Sequence, residues 1–275
     1  MEAILPIFFV ILGLAVGSFL NVALLRFGFS ERPMERSHCA ACGLPIRWFD
    51  LIPVLSYVNL GGKCRTCGSS INAQYPLVEL ATGILFALSY SLVPVDLTIY
   101  SFANFFGLLL FSASLVAIVA YDIRHTLIPM PFVFSLWTAA AVMRVSEALL
   151  LQSYAPLLDA TYGALSLGGF FALTFLVTRG RGMGLGDSYI AAGIGAALGL
   201  IRGIESVMIG VWTGTILYLA LLFFSSVRIL PNKLRVTMKS ELPFAPWLML
   251  GATVSLFTNF SPIQEAQHII ELLWK

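Results

Sequence analysis

The sequence predicts an all-α polytopic membrane protein of about eight transmembrane helices with a small zinc-knuckle loop on one side. Three observations predict it: an apolar composition, repeated apolar runs of spanning length, and basic residues segregated to alternate loops. Of the 275 residues 59% are hydrophobic and 11% charged, with a mean hydropathy of +0.90. A soluble domain carries roughly 25% charged residues. The net charge of +2 is too small to point to nucleic acid, so the lipid bilayer is the expected surrounding and no nucleic-acid partner is expected.

A helix crosses the hydrocarbon core in about 20 mostly apolar residues. Runs of that kind occupy 3–25, 76–93, 98–121, 130–150, 157–178, 187–201, 205–227 and 244–259. The 187–201 run is short and glycine-rich. The first run lacks the basic flank and small-residue cleavage site of a secretory signal, so it reads as a retained helix.

With the N-terminus outside, thirteen of the 16 Lys and Arg residues collect in alternate loops, and only Arg144, Arg202 and Lys275 fall opposite. The positive-inside rule makes the basic side cytoplasmic. The chain then divides into a first transmembrane helix (1–26), a cytoplasmic four-cysteine loop (27–75), a transmembrane helical core (76–259) and an outer-face tail (260–275). In the tail, Ile263, Ala266, Ile270 and Trp274 have the spacing of an interfacial helix, and a frayed terminus is the alternative. Gly13 with Gly17 and Gly195 with Gly199 have the four-residue spacing that lets membrane helices approach closely.

The loop holds Cys39-x2-Cys42 and Cys64-x2-Cys67, each pair followed by a glycine (Gly43, Gly68). Two such turns present four thiolates to one tetrahedral ion, and glycine accepts the backbone angles that turn amides toward sulfur. A reducing cytoplasm argues against two disulfides. Four thiolates close the shell of Zn²⁺, so the site is structural, with no open position for catalysis. His38 beside it reads as a bystander.

Carboxylates at membrane depth are costly, and each is a functional candidate. They are Glu79, Asp122, Asp187 and Glu241. Asp122 closes one apolar run, and Asp187 follows Gly182-Met-Gly-Leu-Gly where the chain re-enters the membrane on the same side. Two acids at one depth on different helices suit an aspartyl protease: one takes a proton from water while its protonated neighbour polarises the scissile carbonyl. Glycines before Asp187 would let an extended peptide approach. The competing reading has each aspartate capping a helix or pairing with Arg124 or Arg181.

These residues resemble the type IV prepilin peptidases, a family of Gly-x-Gly-Asp membrane aspartyl proteases of bacterial inner membranes. The resemblance rests on Gly17-Ser-Phe-Leu-Asn-Val22 with Arg26, the four-cysteine loop, Ile52-Pro-Val-Leu-Ser-Tyr57, Tyr75-Pro-Leu-Val-Glu79, Asp122, Gly182-Met-Gly-Leu-Gly-Asp187 and Pro243-Phe-Ala-Pro246. It implies cleavage of leader peptides from prepilins or pseudopilins at the cytoplasmic face by Asp122 and Asp187. It also implies methylation of the new N-terminus with S-adenosylmethionine. Where the family usually has a lysine two positions after the second aspartate, Tyr189 stands here. For the cofactor, Glu79 is the candidate, with Glu31 and Glu35, which read equally as solvated charges. Asn21 faces the same side. Two other classes remain: a proton-coupled transporter using Glu79, Asp122 and Asp187 as a relay, and an assembly scaffold that docks partners through the zinc loop.

Overall fold

A computed structural model describes residues 4–27, 37–92, 98–181, 183–226, 243–258 and 260–263. Glu31, Glu35, Glu241 and nearly all of the tail lie outside the described residues.

The apolar runs fold as helices: α1 (Ile4–Arg26), α3 (Gln74–Leu92), α4 (Ile99–His125), α5 (Met130–Leu151), α6 (Ala155–Thr178), α7 (Leu185–Leu198), α8 (Leu200–Ser226) and α9 (Ala245–Phe257). A short 3₁₀ turn (Trp48–Leu51) and α2 (Leu55–Asn59) lie in the four-cysteine loop. Among the described residues, six helices are long and apolar enough to cross a membrane, and α7 and α9 are shorter apolar helices. The chain is an integral membrane protein, and the eight expected runs are these eight helices. The 14 residues of α7 rise only about 21 Å, less than the roughly 30 Å of hydrocarbon. How α7 is held at its depth is therefore a structural question in its own right.

Helix ends follow local chemistry. Thr126 (φ 52°) stops α4 and Arg179 (φ 52°) with Gly180 (φ 73°) stops α6, all in the left-handed region. Between α7 and α8 only Gly199 intervenes, at φ 82°. The expected gap at 202–204 is helical, because the Asp159 carboxylate accepts a 3.0 Å bond from the Leu200 N–H and caps α8 there.

Two apolar clusters form the core. One joins α4, α5, α6, α7 and α9, and the other joins α1, α3 and α4. Helix α4 belongs to both and is the central helix of the bundle. Close packing uses small residues: a Cβ on Gly13 would stand 2.6 Å from the Thr82 carbonyl, and one on Gly17 2.7 Å from the Glu79 Cα. Gly195 packs the same way against Gly163 of α6, whereas Gly199 serves as the helix break.

The loop has no apolar core of its own, since none of residues 37–75 is buried. A fold that small depends on cross-links.

Candidate metal centre and candidate active site

The two cysteine pairs form matching knuckles. The Cys39 N–H donates to the Leu44 carbonyl at 2.9 Å and the Gly43 N–H to the Cys39 carbonyl at 2.8 Å. The Cys64 N–H donates to the Ser69 carbonyl at 2.8 Å and the Gly68 N–H to the Cys64 carbonyl at 2.9 Å. Gly43 (φ 71°) and Gly68 (φ 69°) supply the left-handed residue each turn needs. As a result the four sulfurs lie within 4.8 Å of one another, with Cys39 and Cys67 at 3.9 Å. A tetrahedron with Zn–S bonds of about 2.3 Å has sulfurs about 3.8 Å apart, so the cysteines are placed to bind a metal ion.

The electrostatics agree. The backbone N–H groups of Cys42 and Ala41, with Ser69 and Cys64 adding donors, lower the Cys39 thiol to about 6. The Ser69 hydroxyl and amide lower Cys67 as well. Cys42 receives the Leu44 N–H, but desolvation and the neighbouring sulfurs push it up to about 11. Four crowded sulfurs cannot all carry charge without a central cation to offset their repulsion.

Further contacts tie this module together and to the membrane helices. Arg65 grips Asp50 with Nη2 to Oδ1 at 2.7 Å and Nε to Oδ2 at 3.0 Å, holding the Asp50 carboxyl below its usual range. Arg47 and Arg65 both sit over the Phe49 ring. At α3 the Glu79 carboxylate accepts a 2.7 Å hydrogen bond from the Val54 N–H and a second bond from Ser18. Asn21 Nδ2 donates to the Tyr75 carbonyl at 3.0 Å, and Gln74 Nε2 donates to the Ala120 carbonyl at 2.8 Å. Sequence reasoning placed Glu79 and Asn21 on this side but gave no sign of Val54, Asp50 or Gln74 as partners.

The two aspartates come together. Asp122 lies in the last turn of α4 and Asp187 in the first turn of α7, 7% and 8% exposed. Their carboxylates are close enough for the charge of one to act on the other. Each also faces a helix N-terminus. The Ala245 N–H, first in α9, donates to Asp122, and the Gly184 N–H, at the N-cap of α7, donates to Asp187. The Asp187 N–H bonds back to the Gly184 carbonyl at 3.2 Å. Asp187 thus caps its own helix, as an acid three residues into a helix does. Among the described residues neither aspartate joins a salt bridge. Asp122 Oδ2 is buried and has no hydrogen-bond partner.

One glycine of the run before Asp187 serves helix packing, whereas a Cβ on Gly184 would meet nothing nearer than the Asp187 carboxylate at 3.6 Å. A Cβ on Gly186 would stand 2.3 Å from Ile128 Cδ1, so Gly186 lets the α4–α5 turn pack onto the start of α7. Glu205, which sequence reasoning did not count among the membrane acids, is also buried, hydrogen-bonded to the Ser261 hydroxyl.

With this arrangement in view, residues 11–93 match the family described as Bacterial Peptidase A24 N-terminal domain, and residues 109–230 match the Type IV leader peptidase family. A prepilin leader peptidase/N-methyltransferase of Pseudomonas aeruginosa is 31% identical over 90% of this chain and 88% of its own length. The chain belongs to the prepilin leader peptidase family. Proteins of the same name from Klebsiella pneumoniae (34% identical; 68% of this chain, 82% of that protein) and Myxococcus xanthus (33%; 70% and 56%) are also similar. The matched region thus spans little more than half of the Myxococcus protein. No solved structure matches.

Proposed function

We propose that this protein cleaves leader peptides from type IV prepilins or pseudopilins, with Asp122 and Asp187 as the catalytic pair, and then methylates the new N-terminus. The observation that carries the peptidase reading is that two buried carboxylates from different helices lie near enough for one charge to act on the other, each receiving one backbone N–H. One carboxylate takes a proton from the attacking water. The other, protonated, donates to the scissile carbonyl as its oxygen gains charge. The amides of Ala245 and Gly184 hold the carboxyl groups in place, so little reorganisation accompanies the proton transfers. In this reading the module and the pair lie at the cytoplasmic face of a bacterial inner membrane, which the basic residues on the knuckle side support.

Zn²⁺ fits the four cysteines by donor type and by spacing. Cys39, Cys42, Cys64 and Cys67 would hold it, and its role is to fold a module with no buried core. S-adenosylmethionine is the methyl donor in this reading. The cavity between α1, α3 and α4, lined by Asn21, Gln74, Tyr75, Arg124 and His125, measures about 10 Å³, room for a single water. It is too small to hold the donor. The test is mass spectrometry of a prepilin incubated with purified protein and S-adenosylmethionine. The expected products are a shortened chain and then its methylated form, and an uncleaved prepilin would overturn the peptidase reading.

A further inference from the structure

The depth of α7 needs explaining, because the helix is too short to be set by the bilayer and carries Asp187 in its first turn. The answer lies in α5, which carries no candidate catalytic residue. Trp137 Nε1 donates to the Tyr189 carbonyl at 2.9 Å, and Arg144 Nε donates to the Ala196 carbonyl at 3.2 Å. Each bond joins residues 52 apart, so the two donors are one heptad apart on α5 and the two acceptors one heptad apart on α7. Parallel helices with matching steps form a ladder of two rungs.

Each rung has a local reason. At the first, the Tyr189 carbonyl lies within a helix and has a second lone pair to offer. The approach is open because Gly193 stands one turn on, where a Cβ would come 2.9 Å from Trp137 Cδ1 and 2.7 Å from Leu136 Cδ2. The Tyr189 ring also meets the Trp137 ring edge-on, with centroids 6.3 Å apart. At the second, Ala196 is in the last turn of α7, where carbonyls lose their helical partners. The Leu200 N–H, which would bond Ala196 if the helix continued, goes to Asp159 instead. Arg144 fills the gap, and Glu147 at 2.9 Å fixes its guanidinium.

Helix α5 is fastened in turn to α4, the helix of Asp122. Ser114 and Ser135 share a 2.8 Å hydrogen bond, and Asn104 Nδ2 donates to the Met143 carbonyl at 3.4 Å. The route from Asp122 to Asp187 therefore runs α4 to α5 to α7, through hydrogen bonds that fix height as well as distance. Close packing resists sliding along a helix axis, and a donor aimed at one carbonyl adds a directional contact that only one register satisfies.

We infer that Trp137 and Arg144 are positioning residues that lock the register of α7 on α5 and so hold Asp187 level with Asp122. The inference rests on the peptidase reading of the aspartate pair. One rung left intact still holds the register, but less firmly, so losing both costs more than the two single losses together. A slip of about 1 Å between reacting groups costs on the order of a hundredfold.

The test compares Trp137→Phe, Arg144→Met, the double variant and Asp187→Asn in detergent, by cleavage kinetics, zinc content and thermal midpoint. Each single variant is expected to lose about fivefold in kcat, the worth of one hydrogen bond near 1 kcal/mol. The double variant is expected to lose more than about fiftyfold, beyond the product of the singles. KM stays unchanged in the single and double variants, and zinc content stays unchanged in all four. Arg144→Lys, which keeps a donor for Ala196, restores most of the rate. A double variant that cleaves at the normal kcat beside an inactive Asp187→Asn would overturn the ladder and leave the aspartate pair standing. Losses shared equally between kcat and KM and tracking the thermal midpoint would also overturn it. Cleavage by Asp187→Asn would remove both readings.

Discussion

The N–H of Val54 points at the carboxylate of Glu79, 2.7 Å away, and this bond joins the cysteine module to the membrane helices. Val54 is held at φ 60°, ψ −50°, and the Leu55 N–H closes a tight turn onto the Pro53 carbonyl at 2.6 Å. A β-branched residue in that region costs on the order of 1–3 kcal/mol and persists only where its surroundings over-determine it. Glu79 supplies that constraint. Its own position is set by α1, where Gly17 admits the α3 backbone and Ser18 reaches the same carboxylate.

Glu79→Gln and Glu79→Leu should therefore part company. Gln keeps an oxygen for Val54, whereas Leu leaves a partly buried N–H unpaired, at a cost of about 1–3 kcal/mol. Amide exchange across residues 48–60 should speed up about tenfold or more in Glu79→Leu and little in Glu79→Gln. The same pair decides whether Glu79 serves methyl transfer by its charge. If it does, Gln should fail as badly as Leu in methylating a pre-cleaved pilin, even with exchange unchanged.

Metal uptake should release protons and strengthen with pH. With its thiol at about 6, Cys39 is ionised at pH 7.5, while Cys42, at about 11, is protonated. Zn²⁺ must displace at least the Cys42 proton, so affinity rises from pH 6.5 to 8.5. Calorimetry in buffers of different ionisation enthalpy should report at least one proton released per metal. Cys39→Ser or Cys64→Ser should lose the metal, and residues 37–72 should become protease-sensitive, because they have no buried core to fall back on. Intact, resistant metal-free protein would contradict a structural site.

Gly195→Ala should be among the most damaging small substitutions. Its Cβ would lie 2.3 Å from the Gly163 carbonyl oxygen, a backbone atom that cannot rotate away. Overpacking of this kind costs typically 1–3 kcal/mol, and here it would push α7 off α6. Gly169→Ala on the same α6 meets nothing within 4 Å and should leave the thermal midpoint in place. Equal effects of the two would contradict a close backbone contact between α6 and α7.

Much of this was legible in the sequence, for physical reasons. Hydropathy registers the eight apolar helices among the described residues because lipid penalises each polar residue separately, and the knuckles are readable because Cys-x2-Cys-Gly is a local turn. That Asp122 and Asp187 lie near each other was legible from their placement at the same end of two spans. Among what escaped were contacts made through backbone atoms. Val54 and Tyr189 take part through an N–H and a carbonyl that every residue possesses, so no side-chain pattern marks them. Arg144 did leave a trace, a cation within an apolar run, but it was assigned to the outer loops in the count of charges. Gly186 was legible as a close approach, and its partner Ile128 was not.

The last prediction is that cleavage and methylation separate genetically. Asp122→Asn and Asp187→Asn should each abolish leader cleavage while the protein still accumulates in the membrane, since an amide cannot carry the shared proton. Asn keeps the shape of Asp and an oxygen for the Ala245 or Gly184 N–H, so the N-termini of α9 and α7 stay capped and stability should change little. Methyl transfer makes a different demand: an unprotonated amine aligned with the carbon of a sulfonium, a task of positioning in which paired acids have no part. The knuckle module is joined to the helices by Val54 and Glu79 and not by either aspartate, so loss of the metal should impair methylation more directly than proteolysis. The assay supplies a pre-cleaved pilin peptide and labelled S-adenosylmethionine to each variant in detergent. Methylation within about twofold of normal in both aspartate variants is the expected result. Equal loss of the two activities in properly folded aspartate variants would mean that one site serves both.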